Sequence, residues 1–294
     1  MKAIVYHEYG SADVLAPQEV ETPSPKDNEV LINVRAVSIN DWDLALLNGD
    51  FINRMMSGLK RPKKTIVGSD IAGIVVATGK DVTQFSKGDR VYGDLSGRWG
   101  GLAEYVCAPE TSLAIMPERM SFEEAAAIPQ AAMLAIQGLI DVGEIKQNQK
   151  ILINGAGGGV GTFGLQIAKL FGAEVTGVDA AEKLPMMKSI GFDHVINYRT
   201  TDFTRTGETY DLILDAKTNR SVFAYARALK PHGTYATVGG EIPRLLKMLL
   251  LSPLVSLVHQ RRMKIVALKP NKDLAYVNQL YSEGKFRPVI DQVF

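Results

Sequence analysis

The stretch Ile151-Leu-Ile-Asn-Gly-Ala-Gly-Gly-Gly-Val-Gly161 passes from a short apolar run into a glycine-rich turn. The next residues, Thr162–Phe171, have the apolar periodicity of an amphipathic helix. A buried strand, a glycine turn and a helix in this order are typical of a loop that binds the pyrophosphate of a dinucleotide. The helix amino terminus would offer free N–H groups and a positive dipole end to the phosphates. A tight strand-to-helix turn without a ligand is the alternative.

The spacing of small residues within this stretch supports the nucleotide interpretation. Ala156, Gly158 and Gly161 occupy the three key positions, with alanine in place of the usual first glycine. Small residues permit the turn, let the backbone approach a pyrophosphate and let the helix pack on the strand. Asp179 closes the next strand 18 positions after Gly161. The loop residues predicted to bind the nucleotide are Ala156, Gly157, Gly158, Gly159, Val160 and Gly161.

Strands and helices alternate from Lys150 onward. Further buried strands are predicted at Glu174–Val178, Val195–Asn197, Leu212–Leu214 and Thr234–Val238. Helices are predicted near Glu182–Ile190 and Ser221–Leu229. Alternating strands and helices with continuous apolar strands predict a doubly wound parallel sheet.

The first hundred or so residues have a different residue pattern, in which short β-branched runs are interrupted by Gly, Pro and Asp. These runs are Lys2–His7, Val30–Ile39, Ile66–Ala77 and Arg90–Tyr92. Short strands at this spacing predict a barrel-like or sandwich-like β domain. A capping-box pattern at Ser121-Phe-Glu-Glu124 then predicts the start of a helix. The length of 294 residues agrees with two domains.

Composition narrows the class of protein. With 33 basic and 32 acidic residues, and no basic stretch interleaved with aromatics, we expect no nucleic-acid partner. The most apolar window, Leu245–Val258, is interrupted by Lys247 and Pro253, so we expect a buried or lid helix and no membrane role. The single cysteine, Cys107, excludes an internal disulfide and fits a reducing compartment. A cytoplasmic protein is therefore expected.

Many residues outside the loop also follow the pattern of a known family. They are Val67-Gly-Ser-Asp-Ile-Ala-Gly73, Gly88-Asp-Arg-Val-Tyr-Gly93, Ala126-Ala-Ile-Pro-Gln130, Asn148-Gln149, Gln166, Lys169 and His194-Val-Ile-Asn-Tyr198. With the glycine loop, they resemble the quinone oxidoreductase and ζ-crystallin family of zinc-independent medium-chain dehydrogenases/reductases. The resemblance runs through nearly the whole chain.

The resemblance implies an α/β fold made of a GroES-like β-rich catalytic domain and a doubly wound Rossmann domain. The catalytic domain would comprise residues 1–122 and 267–294, and the Rossmann domain residues 123–266. A cleft active site and a homodimer are implied as well. Lys264–Leu268 would be the edge strand that pairs across the dimer axis, with an internal sheet strand as the alternative. Relatives usually continue beyond Phe294, so we expect a shortened catalytic domain with an exposed sheet edge.

The residues at the places of the family's metal ligands predict chemistry without zinc. Zinc-dependent relatives use cysteine, histidine and an acidic residue, where this chain has Asn40, Ser69 and Asp70. No metal is therefore expected. Without a Lewis acid, the accessible reaction is hydride donation to a conjugated acceptor, such as a quinone or an α,β-unsaturated carbonyl. No GxSxG occurs and the four histidines are dispersed, so a hydrolase triad is not indicated.

Candidate residues for the acceptor site follow from the same comparison. Asn40 could hydrogen-bond the acceptor oxygen or the nicotinamide ribose, although it could equally satisfy a loop backbone. Asp43 and Asp70 are interpreted as structural hydrogen-bonding residues. An apolar substrate pocket is assigned to Trp42, Phe51, Trp99 and Met133, with packing in the core as the alternative for the aromatic residues.

The identity of the nicotinamide depends on residues with opposite effects. Asp179 can accept hydrogen bonds from the ribose hydroxyls of NADH and repel a 2′-phosphate. Lys183 and Tyr198 fall where NADPH-using relatives hold that phosphate. Asp215 and Gly239 complete the expected cofactor-binding set. The pattern slightly favours NADP(H) over NAD(H). The expected function is zinc-free reduction of quinones or enones, and the alternative is a structural or regulatory nucleotide-binding protein without turnover.

Overall fold

The computed structural model describes the backbone of residues 1–294 and every side chain except those of Ile52, Met56, Ile242 and His259. The chain divides into two compact units. The first unit comprises Met1–Gln130, Pro270–Ser282 and Ile290–Phe294. The second comprises Ala131–Lys269 and Glu283–Val289. The sequence-based boundaries, at 122/123 and 266/267, lie eight and three residues earlier along the chain, and the predicted catalytic domain also included Glu283–Val289.

The residue bounds of the regular elements are as follows. The strands are β1 (Lys2–Val5), β2 (Ala16–Glu19), β3 (Glu29–Ser38), β4 (Asp70–Thr78), β5 (Arg90–Asp94), β6 (Tyr105–Pro109), β7 (Ala114–Ile115), β8 (Lys150–Asn154), β9 (Glu174–Asp179), β10 (His194–Asn197), β11 (Tyr210–Asp215), β12 (Leu229–Thr237) and β13 (Arg262–Ile265). The α-helices are α1 (Asp41–Asn48), α2 (Phe51–Ser57), α3 (Phe122–Ala126), α4 (Pro129–Ile136), α5 (Gly159–Leu170), α6 (Leu184–Ser189), α7 (Val222–Ala228), α8 (Ile242–His259) and α9 (Leu274–Ser282). A π-helical stretch, Gln137–Val142, continues α4.

The first unit is built on a five-stranded antiparallel sheet of order β6-β3-β4-β5-β7, with β1 and β2 as a separate antiparallel pair. Its core is formed by β-branched side chains such as Val30, Ile32, Ile71 and Val75, which are fully buried. Branched residues of this kind pack well on a pleated surface. The predicted β-rich amino-terminal domain is therefore confirmed, as is the capping box at Ser121 that begins α3.

The second unit is a six-stranded parallel sheet of order β10-β9-β8-β11-β12-β13. In chain order this is 3-2-1-4-5-6, the arrangement of a doubly wound Rossmann sheet. The strand order reverses between β8 and β11. A ligand site is expected beyond the carboxyl ends of the strands at such a switch point. The glycine-rich turn follows β8 directly, so the structure places it there.

The edge of this sheet is β13, which pairs only with β12 among the strands that the structure describes. It begins two residues before the predicted Lys264–Leu268 strand and ends earlier, at Ile265. An edge position leaves backbone groups available for pairing. Pairing of β13 across a dimer axis stays a prediction.

The apolar helix predicted at Leu245–Val258, as a buried or a lid helix, exists as α8 and is buried on one side only. Met248 and Val255 are buried, whereas Leu250 and Leu257 are 77% and 81% exposed. The apolar pattern covers more than half of the helix circumference, while the unit's core contacts only one side. The sequence could not indicate which apolar face would remain uncovered.

Candidate functional site

The glycine-rich turn between β8 and α5 is held by backbone hydrogen bonds to the neighbouring strand. The N–H groups of Gly155 and Ala156 donate to the carbonyl of Val178, at 3.0 and 3.1 Å. Gly155 has a φ of +84°, a conformation that favours glycine. At Gly161, an added Cβ would lie 2.4 Å from both Cα and the carbonyl oxygen of Ala156. The first turn of α5 therefore touches the loop backbone itself.

The amino terminus of α5 has the donors that an anion needs. The first intrahelical hydrogen bond runs from the Thr162 N–H to the Gly158 carbonyl, at 2.9 Å. The N–H groups of Gly159, Val160 and Gly161 precede that bond and have no acceptor within the helix. A Cβ at Gly158 would meet only the Gly155 carbonyl oxygen, at 3.6 Å, so the space above this residue is open. These features fit a pyrophosphate, and the loop residues predicted from the sequence lie together here.

Asp179 lies beside this loop at the end of β9. One carboxylate oxygen accepts the Gly157 N–H at 2.8 Å, and the other accepts the Ala180 N–H at 2.8 Å. The Lys183 Nζ is 4.0 Å from the second oxygen, and its side chain is half-exposed. Tyr198 follows β10 and is partly exposed; its N–H donates to the Asp179 carbonyl at 3.1 Å. The structure thus brings Asp179, Lys183 and Tyr198 to one place beside Gly157.

Asp215 is placed differently from the other predicted cofactor residues. Its carboxylate is fully buried at the end of β11 and accepts hydrogen bonds from Asn154 Nδ2, the Thr218 N–H and the Tyr235 hydroxyl, at 2.8–2.9 Å. The carboxylate therefore organises the turn after β11, and a role for Asp215 in cofactor binding stays a prediction. An added Cβ at Gly239 would be 3.8 Å from its nearest neighbour, so open space remains at that residue.

In the first unit, Asp43 fixes the turn that leads from β3 into α1. Its carboxylate accepts the Asn40 N–H at 2.9 Å, the Gly68 N–H at 3.0 Å and the Ser69 hydroxyl at 3.2 Å. Burial raises the pKa of Asp43, while these hydrogen bonds oppose the increase. Asp43 is therefore the structural residue that the sequence predicted, and Asn40 is the N-cap of α1.

Asp70 and Asp94 form a pair of neighbouring carboxyl groups in the same unit. They are register partners on β4 and β5, which places both side chains on one face of the sheet. Both are buried, and Asp70 Oδ1 and Asp94 Oδ2 have no hydrogen-bond partner among the described residues. Burial raises the pKa of Asp70 well above its usual range, and the neighbouring Asp94 adds to the increase. Burial also raises the pKa of Asp94.

Replacing Asp70 by asparagine should stabilise the protein at neutral and alkaline pH. A raised carboxyl pKa means that the folded state holds the proton more tightly than the unfolded chain. That contribution is present below the ordinary Asp pKa of about 3.9 and is lost as the pH rises towards the folded-state pKa. We expect Asp70→Asn to gain about 1 kcal/mol at pH 8 relative to the parent, and little at pH 4, in denaturant titrations.

The variant Asp291→Asn, at an exposed position, is the control for this comparison. An Asp70→Asn protein that is less stable than the parent at pH 8 would show that Asp70 is held as a stabilising carboxylate. The Gln130 N–H, which donates to Asp70 Oδ2 at 2.9 Å, can still donate to the asparagine oxygen. The variant therefore tests the charge more than the hydrogen bond.

The predicted substrate pocket is only partly supported by the positions of its residues. Trp99 is 5% exposed and packs with Tyr6, Leu46 and Val67, which agrees with the alternative of packing in the core. Met133 is fully buried in α4 and exposes no surface to a substrate. Phe51 and Trp42 are exposed, by 73% and 37%, and a role for them in contacting an acceptor stays a prediction. The first position of α2 places Phe51 on the surface.

Asn40 has an amide nitrogen that is buried and without a hydrogen-bond partner of good geometry among the described side chains. This amide lies close enough to Asp70 to lower the pKa of that carboxyl. Sequence reasoning missed Asp94 and its link to Asn40 through Asp70, because strand register decides which residues share a face. The position of Asp94, two residues after the predicted strand Arg90–Tyr92, was the available signal.

Comparisons with known proteins agree with this architecture. Residues 26–118 match the alcohol dehydrogenase GroES-like domain family, and residues 190–294 match the zinc-binding dehydrogenase family. A chloroplastic quinone oxidoreductase from Triphysaria versicolor is 32% identical over 100% of this chain and 91% of its own length. The chain is a medium-chain dehydrogenase/reductase of the quinone oxidoreductase family. The fold predicted by resemblance, GroES-like plus Rossmann, is thereby confirmed.

Two other matches describe the relatives of this medium-chain oxidoreductase. A solved quinone oxidoreductase structure from Coxiella burnetii superposes with a TM-score of 0.84, at 29% identity, over 99% of this chain and 90% of the other. A chloroplastic NADPH-dependent alkenal/one oxidoreductase from Arabidopsis thaliana is 34% identical over 74% of this chain and 57% of its own length. The protein is therefore an oxidoreductase enzyme.

Proposed function

We propose that this protein is a zinc-independent oxidoreductase that uses NADPH to reduce quinones or α,β-unsaturated carbonyl compounds. The observation that carries the proposal is the glycine turn at the amino terminus of α5, with free N–H groups at Gly159, Val160 and Gly161 and open space above Gly158. The relatives named for quinone and for NADPH-dependent alkenal/one reduction support the same class of substrate.

The residues around the turn fit a nicotinamide dinucleotide. The α5 amino terminus would hold its pyrophosphate, while Asp179 and Lys183 lie where they can distinguish a ribose hydroxyl from a 2′-phosphate. The bound dinucleotide supplies a hydride to a conjugated acceptor. The half-exposed Lys183 ammonium favours NADPH, and the Asp179 carboxylate opposes it.

On the acceptor side, Asn40 is proposed as an orienting residue. Its amide nitrogen is buried beside Asp70 without a partner of good geometry, and rotation of the side chain would be needed for it to donate to a carbonyl or quinone oxygen. Such a donor stabilises negative charge that develops on that oxygen during reduction. Trp42 and Phe51 expose aromatic surface that suits a flat, apolar acceptor.

Zinc independence is proposed from the donor set. Asn40 and Ser69 offer neither a thiolate nor an imidazole, which structural and catalytic zinc sites use most. Within the part of the chain whose side chains are described, no three His, Cys, Asp or Glu residues are grouped to hold a metal ion. We expect purified protein to contain no stoichiometric zinc, and chelators to leave activity unchanged. Elemental analysis with about one zinc per chain would contradict this.

A substrate screen tests the proposed function directly. Purified protein is assayed with NADPH and with NADH against quinones, enones and saturated aldehydes. Oxidation of the cofactor is followed by the loss of absorbance of its reduced form. We expect turnover of conjugated acceptors and little turnover of saturated aldehydes, because only the former are activated for hydride addition without a metal. Tight cofactor binding with no turnover on any acceptor would instead support a nucleotide-binding protein without catalysis.

A further inference from the structure

One surface of the second unit is apolar, exposed and unrelated to the nucleotide loop. On α8, Leu246, Leu250, Leu254 and Leu257 follow one another at spacings of three or four, so they share one face of the helix. We call the exposed apolar surface of α8 the leucine face. Its residues are Leu246, Leu249, Leu250, Pro253, Leu254, Leu257 and Val258. Soluble monomers rarely expose a contiguous apolar patch of this kind without a binding role.

The helix is anchored so that this face points outward. Met248 and Val255, on the opposite side, are buried in the core of the unit. Pro253 lies inside the helix and cannot donate to the carbonyl four residues earlier. The Ser252 hydroxyl donates to that carbonyl, of Leu249, at 3.2 Å. The helix therefore continues past the proline, and the leucine face remains in one plane.

The charges beside the leucine face are mainly positive. Between Glu241 and Arg262 the sequence has four cations, Arg244, Lys247, Arg261 and Arg262, and Glu241 is the only carboxylate. Glu241 pairs with Arg244 at 3.2 Å, and Arg262 pairs with Glu144 at 2.8 Å. Lys247 is exposed on the helix next to the leucines. Cations that border an exposed apolar helical face complement an anionic lipid surface.

We propose that the leucine face docks on an anionic lipid bilayer, with α8 lying in the plane of the interface. None of the helices formed by the described residues is long and apolar enough to cross a bilayer, so the contact is with the surface. Contact with a second copy of the same face would bring the cations of both copies together. That repulsion favours the anionic lipid as the occupant. The proposal replaces the sequence-based expectation that this chain has no membrane role.

Vesicle binding tests the proposal. The full chain is sedimented at about 0.1 M salt with vesicles of equal phosphatidylcholine and phosphatidylglycerol, and with vesicles of phosphatidylcholine alone. We expect binding to the anionic vesicles and much weaker binding to the neutral ones. The double variant Leu250→Gln with Leu257→Gln should weaken binding at least about tenfold, because two apolar side chains no longer enter the interface.

Two further variants separate the apolar and electrostatic contributions. Ser256→Gln is the matched control, since Ser256 is an exposed polar residue at the edge of the leucine face, and it should bind like the parent. Lys247→Gln should weaken binding to the anionic vesicles about fivefold and leave binding to the neutral vesicles unchanged. Melting temperatures within a few degrees of the parent show that the exposed substitutions leave the fold intact.

Two results would overturn the proposal. One is parent protein that fails to sediment with either vesicle. The other is a double variant whose vesicle binding is unchanged while its mass in solution, measured by light scattering, falls from dimer to monomer. In that case the leucine face contacts a second copy of the chain and not a lipid surface.

Discussion

Replacing Gly161 by valine should abolish nucleotide binding and also destabilise the second unit. The new Cβ would lie 2.4 Å from Cα and the carbonyl oxygen of Ala156, a distance at which backbone atoms must move. Ala156 cannot move freely, because its N–H and that of Gly155 donate to the Val178 carbonyl. Overpacking against fixed atoms costs about 1–3 kcal/mol, so a lower melting temperature is expected. Calorimetric titration with NADPH should show an affinity at least about 100-fold weaker.

Gly158→Ala separates the two effects of the Gly161 variant. A Cβ at position 158 would have only the Gly155 carbonyl oxygen nearby, at 3.6 Å, and the φ of Gly158 is −102°. The melting temperature should therefore stay close to that of the parent. The methyl group would occupy the space through which a pyrophosphate approaches the backbone, so NADPH affinity should fall about tenfold or more. A Gly158→Ala protein that binds NADPH normally would mean that this turn has only a structural role.

The glycine turn was predictable because its signal is local. A strand, a turn and a helix that are adjacent in the sequence determine the position of the phosphate site without reference to the rest of the chain. The parallel sheet was predictable for a similar reason, since β8, β9, β10 and β11 are separate apolar runs with helices or turns between them. The family resemblance then supplied the strand order and the split first domain, which periodicity alone does not provide.

Features that depend on strand register or on packing between distant residues were not predictable. Asp70 and Asp94 lie opposite each other only because β4 and β5 pair in one register. The sequence left Trp99 open between a pocket wall and the core, and the structure packs it next to Tyr6 and Val67. Both results depend on contacts between residues far apart in the chain, which a single sequence does not specify.

Thr218 shows how an unfavourable backbone conformation is accommodated. The φ of Thr218 is +45°, which a β-branched residue rarely adopts. Its hydroxyl is hydrogen-bonded to Thr237 Oγ1 at 2.6 Å and donates to the Gly239 carbonyl. These buried hydrogen bonds offset part of the backbone strain. Both the backbone conformation and the hydrogen bonds that compensate for it depend on the folded structure.

The choice between NADPH and NADH should depend on Asp179 and Lys183 in opposite directions. A unit-charge pair at 4 Å is worth about 4 kcal/mol at an effective dielectric of 20, and solvent exposure reduces this. Because Lys183 is half-exposed and both groups act on the same 2′-phosphate, their effects largely cancel. We therefore expect the parent to prefer NADPH by less than about 100-fold.

Substitutions should shift this ratio by about tenfold in each direction. Lys183→Ala should move the preference towards NADH, because the attraction to the 2′-phosphate is lost. Asp179→Ser should move it towards NADPH, but it also removes the acceptor of the Gly157 N–H at 2.8 Å, so affinity for both cofactors should fall. Asp179→Asn retains an acceptor oxygen and isolates the effect of the charge.

The affinity ratio, measured by titrating NADPH and NADH against the parent and each variant, is the decisive quantity. Lys188→Ala serves as the control for Lys183→Ala, since Lys188 is an exposed cation at the end of α6. Lys188→Ala should leave the affinity ratio unchanged. A variant that merely destabilises the loop would lower the affinity for NADPH and NADH equally. If Asp179→Asn and Lys183→Ala both leave the ratio unchanged, these side chains do not face the ribose. The Gly157–Asp179 hydrogen bond would then be purely a structural link between the loop and β9.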